Sequence, residues 1–348
     1  MIAMKKQLTL AALSLGLVLG LVQSGQAQQI SEYTVPRTQW GQPDLQGVWN
    51  FSSDIPMQRP ERFGTQEFLT AAEIEAMRAE QEADRLAAEQ AAAARVVDPD
   101  APPVTDDPGG YNDFWVESAG IGDTVRTSHI VYPENGRYPA RVEGAPVQFG
   151  GLGPDVPGER PVRYVVGGIG KNGPEDRGLS ERCIVGFNSG PPFRPSLYNN
   201  NMQLVQSRDA VVIMTEMIHD ARIVPLGDKP RLHEDIRLWS GDSRGYWDGD
   251  TLVVETRNFN DLRQPFGSIG TTGDMVLTER FTRQAYDRVD YEFTVEAPHT
   301  YTDKFTAIVP MTKVAGQIYE YACHEGNYGM VNILRGARVE ERRASEGQ

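Results

Sequence analysis

From about residue 202 to residue 340 the chain is a succession of short runs with strand character, each bounded by turn residues. The runs are MQLVQS, AVVIMTEMI, DIRLWS, TLVVETRNF, MVLTERFTR, VDYEFTVE, FTAIVPM, QIYEYACH and VNILRGARVE. Alternation at period two sends every second side chain to one face, which suits strands buried on one side only. Turn signals fall between the runs at Arg208-Asp209, Leu226-Gly227-Asp228 and Asp248-Gly249, and the Asp-Gly after Trp247 marks a two-residue hairpin. No helical period interrupts the series. It therefore reads as an antiparallel meander, which closes into a barrel or folds into a sandwich. The absence of a fixed-period repeat argues against a propeller.

The segments before the meander are of other kinds. Lys5 and Lys6, the apolar stretch Leu8 to Val22 and the small residues Gly25 and Ala27 have the layout of a secretory signal cleaved after Ala27. The apolar stretch falls short of the roughly 20 residues that a membrane span needs. Residues 28–110 hold an extended, proline-bearing segment with WGQPDLQGVWNF and then one long helix over 70–97. Thr70 and Glu73 form its capping box, and an alanine-rich body follows. The helix's apolar stripe, Ile74, Met77 and Leu86, is thin, which predicts a surface element or a lid. Prolines 99, 102 and 103 end it. Residues 111–348 form the β domain, opening with a Gly- and Pro-rich zone whose strand candidates are TSHIVY, RYVVGG and RCIVGF.

Export bears on the chemistry. Removing Lys5 and Lys6 takes the formal charge from −14 to −16, which disfavours nucleic acid and anionic lipid as partners. In a periplasmic or secreted protein the two cysteines, Cys183 and Cys323, are expected to form one disulfide. The other reading is a thiolate nucleophile at Cys323 beside His324. No Gly-x-Ser-x-Gly elbow, P-loop or His-Glu-x-x-His is present. GGIGKNGPEDRG lacks the terminal Gly-Lys-Ser/Thr of a phosphate loop. The histidines at 129, 219, 233, 299 and 324 have no metal-ligand spacing. The sequence thus points to no cofactor and no metal.

PDLQGVW (Pro43 to Trp49) places a Gly-x-Trp at the first strand, and GDSRGYWDGDTLVVET and LTERFTR follow in the meander. These phrases resemble the strands of bacterial lipocalin-like, or calycin-type, domains. WGQPDLQGVW, YNDFW, RTSHIVYPENGR, RCI, EMIHDARIVPL and YACHEGNY extend the likeness over most of the mature chain, to a family of secreted bacterial proteins. The resemblance implies a lipocalin-like β-barrel enclosing a ligand cavity, with the helix as an N-terminal excursion. Calycin-like relatives include non-catalytic carriers and cofactor-free cyclases and hydratases, so the fold does not select an activity.

Two polar clusters sit where the runs place strand ends. In the strand ending at EMIHDAR, parity puts Val212, Met214, Glu216, Ile218 and Asp220 on one face and Ile213, Thr215, Met217 and His219 on the other. Arg222 joins Glu216 and Asp220 if the strand continues. Two carboxylates with an arginine are either a salt-bridge network pinning a barrel rim or an acid/base site. In QIYEYACHEGNY, Glu320 and His324 share one face, and Tyr321, Cys323 and Glu325 the other. A bridge from Cys183 to Cys323 would bring Arg182 beside His324 and Glu325. The amides around Asn200 and the aromatics Tyr111 and Trp115 cap loops or contact a ligand.

The function expected from these readings is a cofactor-independent lyase or isomerase of cyclase or hydratase type. It would act on a small, largely apolar organic molecule inside the barrel. His324 or His219 would transfer a proton, with Glu216, Asp220 or Glu325 as partner, while Arg222 and Arg182 stabilise negative charge. Tyr111, Trp115, Asn200 and Tyr321 would contact the substrate. The alternatives are a non-catalytic periplasmic carrier of a hydrophobic ligand and a glycan-binding or hydrolytic protein with paired carboxylates. The oligomeric state is open.

Overall fold

The alternation is strictest in three consecutive strands: β8 (Val276–Ala285), β9 (Arg288–Glu296) and β10 (Phe305–Val314). In the computed structural model, which describes residues 33–94, 116–145, 171–260 and 273–347, every second residue of these strands is buried over most of their length. Phe281 lies opposite Tyr291, Tyr291 opposite Val309, and Phe293 opposite Ala307. Full burial of each large side chain contributes about 1.5–3 kcal/mol, so a one-residue slip of register would forfeit the whole inner face.

Seven further strands complete the sheet. They are β1 (Gly47–Asn50), β2 (Ile130–Tyr132), β3 (Asn201–Gln206), β4 (Ala210–Thr215), β5 (Ala221–Pro225), β6 (Asp242–Asp248) and β7 (Thr251–Arg257). The result is a 10-stranded sheet ordered β5-β4-β3-β1-β10-β9-β8-β7-β6, with β2 beside β10, and every ladder is antiparallel. The expected hairpin after Trp247 is present: Asp248 pairs with Thr251 across Gly249 and Asp250, and Gly249 takes φ 60°. Contacts group Val35–Gln348 into one unit and 1–34 into another, of which only Tyr33 and Thr34 are described.

The sheet is mostly-β and antiparallel, as expected, but it is not closed into a barrel. Its edge strands β5 and β6 meet at a single parallel bridge, Leu226 to Gly245, where the Gly227 N–H donates to the Gly245 carbonyl at 3.0 Å. A Cβ on Gly245 would lie 2.9 Å from side-chain carbons of both Leu226 and Val224, so this contact needs glycine. Seven aromatic residues occupy the centre of the inner face. Trp49, Phe51, Phe193, Phe281, Tyr291, Phe293 and Phe305 fill it, with Phe281 and Phe193 packed on the Tyr291 ring at 4.8 and 5.5 Å.

Helix α1 (Ala71–Ala94) begins where its capping box predicts. The Thr70 N–H and hydroxyl donate to Glu73 Oε2 at 2.7 and 2.8 Å, and the Glu73 N–H returns a bond to Thr70 Oγ1 at 3.3 Å. The helix is largely exposed and buries Ile74, which fits a surface element.

Four expected strands are corrected. DIRLWS is turn and irregular chain, with one isolated bridge, Leu238 to Phe259. QIYEYACH is irregular, and VNILRGARVE lies inside a second helix, α2 (Tyr328–Glu346). Asn327 starts α2, its side chain accepting from the Met330 N–H at 3.3 Å, and the Leu, Ala, Arg and Glu that follow are strong helix formers. RCIVGF is also turn rather than strand, TSHIVY forms only β2, and RYVVGG lies outside the described residues, as does the signal segment 1–27.

Cys183 and Cys323 are bonded, with Cα atoms 5.8 Å apart and a sequence separation of 140. Asn327 tightens the junction by donating to the Glu181 carbonyl at 2.7 Å. The bridge ties the segment before α2 to a small apolar cluster around Leu179 and Val185. Replacing both cysteines by serine should lower unfolding stability by about 2–4 kcal/mol, read as a lowered urea midpoint. An unchanged midpoint would mean that the bridge adds nothing to the folded state.

Candidate functional site

Most of the nominated residues that the structure describes fall into three separate places, and His219 stands apart from them on its own turn, for reasons local to the backbone. Strand β4 stops at Thr215. A single 3-10 turn over Met217–His219 follows, with Ile218 at φ 62° and His219 at φ 44°, before β5 begins at Ala221. These left-handed residues break the parity expected through EMIHDAR. Arg222 consequently pairs with Ile213 and joins the inner face, away from Glu216.

The first place is the inner face. The Arg222 guanidinium donates to both oxygens of Glu279, Nη1 at 2.5 Å and Nη2 at 2.9 Å. The Tyr291 hydroxyl donates to Glu279 Oε1 at 2.8 Å and accepts from the Phe193 N–H at 3.1 Å. Thr256 and Ser243 continue the network. Burial pushes the Arg222 guanidinium down, and Glu279 more than offsets this, holding it above its ordinary range. Burial, then the Glu279 charge, pushes the Tyr291 phenol well up. Asp220 adds negative charge near Arg222 and accepts from the Ser240 hydroxyl at 3.1 Å. The network lies among the rings of Phe193, Phe281 and Tyr291.

The second place is a chain of amides and carboxylates at the ends of β1, β3 and β4. Glu216 accepts from Asn201 Nδ2 at 2.7 Å, and Asn201 Oδ1 accepts from Asn50 Nδ2 at 2.9 Å. Glu117 accepts from Asn50 and from Asn200, at 3.0 and 2.9 Å. Asn200 and Glu216, nominated separately, thus belong to one network. Ser52 also joins it, its N–H donating to Asn50 Oδ1 at 2.9 Å.

The third place is the turn at the disulfide. His324 and Glu325 are exposed and Tyr321 is half-buried. Arg182 is half-buried in the turn on the other side of the bridge, its N–H donating to the Gly178 carbonyl at 3.1 Å. His219 is exposed on its own turn. Tyr111 and Trp115 lie outside the described residues. Among the described residues no three His, Cys, Asp or Glu side chains gather as metal ligands would, and no helix is long and apolar enough to cross a membrane.

A cleft of about 420 Å³ begins at Ser52 and lies between α1 and the outward face of β9 and β10. Phe68, Met77, Ile121, Val125, Ile308 and Pro310 make its apolar wall, and Ser52, Ser53, Asp54, Arg126, Arg288 and Asp290 its polar groups. Several of these are held in place. Asp54 accepts from the Ser118 hydroxyl at 2.7 Å and the Gly120 N–H at 3.0 Å. Arg126 pairs with Glu67 and stacks over Phe68 at 4.6 Å, and Arg288 pairs with Asp290 at 2.8 Å.

Beneath Ser53 is a buried histidine. His129 Nδ1 is 2.8 Å from the Ile308 carbonyl and Nε2 is 2.9 Å from Ser53 Oγ. A carbonyl only accepts, so Nδ1 carries the proton and Nε2 accepts from the Ser53 hydroxyl. Burial pushes the imidazole down to about 4; the Ile308 bond opposes this, and Arg194 and Arg126 add to it. Sequence reading had no access to this pair. Ser53 and His129 are 76 residues apart, in no shared motif, and meet only because segment 51–57 folds against the start of β2.

No known family model, curated protein or solved structure matches this chain.

Two outcomes follow from this chemistry. Glu279→Ala leaves the Arg222 guanidinium buried and unpaired and should cost about 3–5 kcal/mol, whereas Arg222→Met with Glu279→Leu should recover most of that loss in urea unfolding. For His129 the folded-state value lies below the unfolded one near 6.5. The unfolded chain therefore takes up the proton first as pH falls. Stability held above about pH 6.5 should decline towards pH 4 by about 3 kcal/mol, and His129→Gln should flatten that part of the profile. An equal slope in the variant would assign the loss to other groups.

Proposed function

We propose that the protein binds a small, largely apolar organic molecule in the cleft between α1 and the outward face of β9 and β10. The observation that carries this reading is the cleft itself, about 420 Å³ with an apolar wall and a few fixed polar groups. That size and lining suit a small-molecule site. The sequence reading placed the ligand inside a barrel. The inner-face titratable groups Arg222 and Glu279 are surrounded by Phe193, Phe281 and Tyr291, which favours the outward cleft. A carrier needs no more than this cleft. The cyclase- or hydratase-type lyase or isomerase suggested by the calycin-type resemblance needs, in addition, a proton-transfer group facing the ligand. The single Leu226–Gly245 bridge, where the sheet edges meet, supports that resemblance as the seam of an incomplete barrel. The Cys183–Cys323 bond supports export to an oxidising compartment.

Titration with the fluorescent probe 1-anilinonaphthalene-8-sulfonate tests the site. The folded protein should bind one equivalent. Met77→Trp, which fills the cleft from α1, should weaken binding by about tenfold or more, equivalent to about 1.4 kcal/mol. Exposed Tyr246→Trp, on β6, should leave it unchanged. Equal affinities for the parent and Met77→Trp would remove the cleft as the site.

A further inference from the structure

We propose that Ser53 is a nucleophile, activated by His129, and that the cleft admits an uncharged carboxylic ester with a short apolar acyl group. The inference rests on the reading of the cleft as the ligand site and adds a reaction to it.

Its basis is directional. The Ile308 carbonyl takes the Nδ1 proton, so the one free lone pair of the imidazole faces the Ser53 hydroxyl at 2.9 Å. This is the arrangement of nucleophile, base and orienting group that hydroxyl activation requires, with a backbone carbonyl in the orienting place. His129 is almost wholly buried, whereas Ser53 is partly exposed and lines the cleft. The serine oxygen is thus the route by which the buried imidazole can act on anything bound there. The Ile55 N–H, at 3.3 Å from Ser53 Oγ, fixes the serine further. Burial holds the imidazole at about 4, so at ordinary pH it is neutral with its lone pair available, and as a weak base it takes the Ser53 proton only as the Oγ–carbon bond forms. The wall beside Ser53 is apolar at Ile308 and Pro310, which suits an acyl chain better than a sugar.

The reaction balances without a further reactant besides water. Ser53 Oγ bonds to the ester carbonyl carbon and passes its proton to His129 Nε2. The carbon–oxygen bond to the alcohol breaks, and His129 returns the proton to the departing alkoxide. Water then attacks the acyl-serine, giving up its proton through the same nitrogen, and releases the acid with Ser53 restored.

The test uses diisopropyl fluorophosphate on the folded chain, with the adduct located by peptide mass mapping. One adduct on Ser53 is expected, absent in Ser53→Ala, with the labelling rate lowered at least about 100-fold in His129→Gln. Hydrolysis of p-nitrophenyl butyrate should be lost in Ser53→Ala. No adduct on Ser53 in protein that binds the naphthalene probe would overturn the inference and leave the cleft reading standing. An adduct in protein that does not bind the probe would have the opposite meaning. If His129→Gln fails to fold, Ser53→Ala decides alone: butyrate hydrolysis persisting in that variant overturns the proposal.

Discussion

Arg222 and Glu279 belong to strands far apart in the sheet order. β5 is one edge, while β8 is third from the other. A bidentate bond between them requires the sheet to curl until these strands face each other across the interior. The aromatic residues of β8–β10 then have something to pack against, and the edges come close enough for the Leu226–Gly245 bridge. Neither charge could be buried alone without a penalty of several kcal/mol, so the pair is also a condition on geometry: the inner face is tolerable only when curled. Tyr291 completes the acceptor side and joins the ion pair to the aromatic stack.

The two faces of this sheet do different work. Inward, the Arg222, Glu279 and Tyr291 side chains bond to one another among packed aromatic rings. Outward, over β9 and β10, polar groups at the cleft are anchored at one end and open at the other. Asp54 is fixed by Ser118 and Gly120, and Ser53 is fixed by His129. This difference favours the outer cleft as the place for a ligand, although the inner face carries the more conspicuous charges.

How far the sequence disclosed this depends on the range of the signal. β7 to β10, the hairpin at Gly249 and the Thr70–Glu73 cap were legible because each is determined within a few residues. EMIHDAR was misread because parity holds only while a strand stays extended, and Ile218 and His219 leave that conformation without any glycine to announce it. VNILRGARVE mixes β-branched and helix-forming residues, and the cap at Asn327 decided in favour of the helix. The disulfide was legible from compartment and number alone. Barrel closure was not, since it depends on whether β5 and β6 find a common register, which no local pattern encodes. Ser53 and His129 carry no mark in the sequence, because what unites them is a carbonyl and a cleft supplied by other segments.

β1 lies in the middle of the sheet order, with β3 on one side and β10 on the other. Val48 is paired with Val314, near the opposite end of the chain. The two halves of the sheet can therefore each assemble as a local meander, but they become one object only when an early strand is captured by the last. Closing so large a loop is a high-contact-order event and should be the slow step of folding. Until it occurs, the flanks of β3 and β10 are unpaired, apolar and open to intermolecular pairing. A chain that emerges from N- to C-terminus therefore holds β1 without one of its two neighbours until β10 has followed it out, and the sheet becomes continuous only at that point.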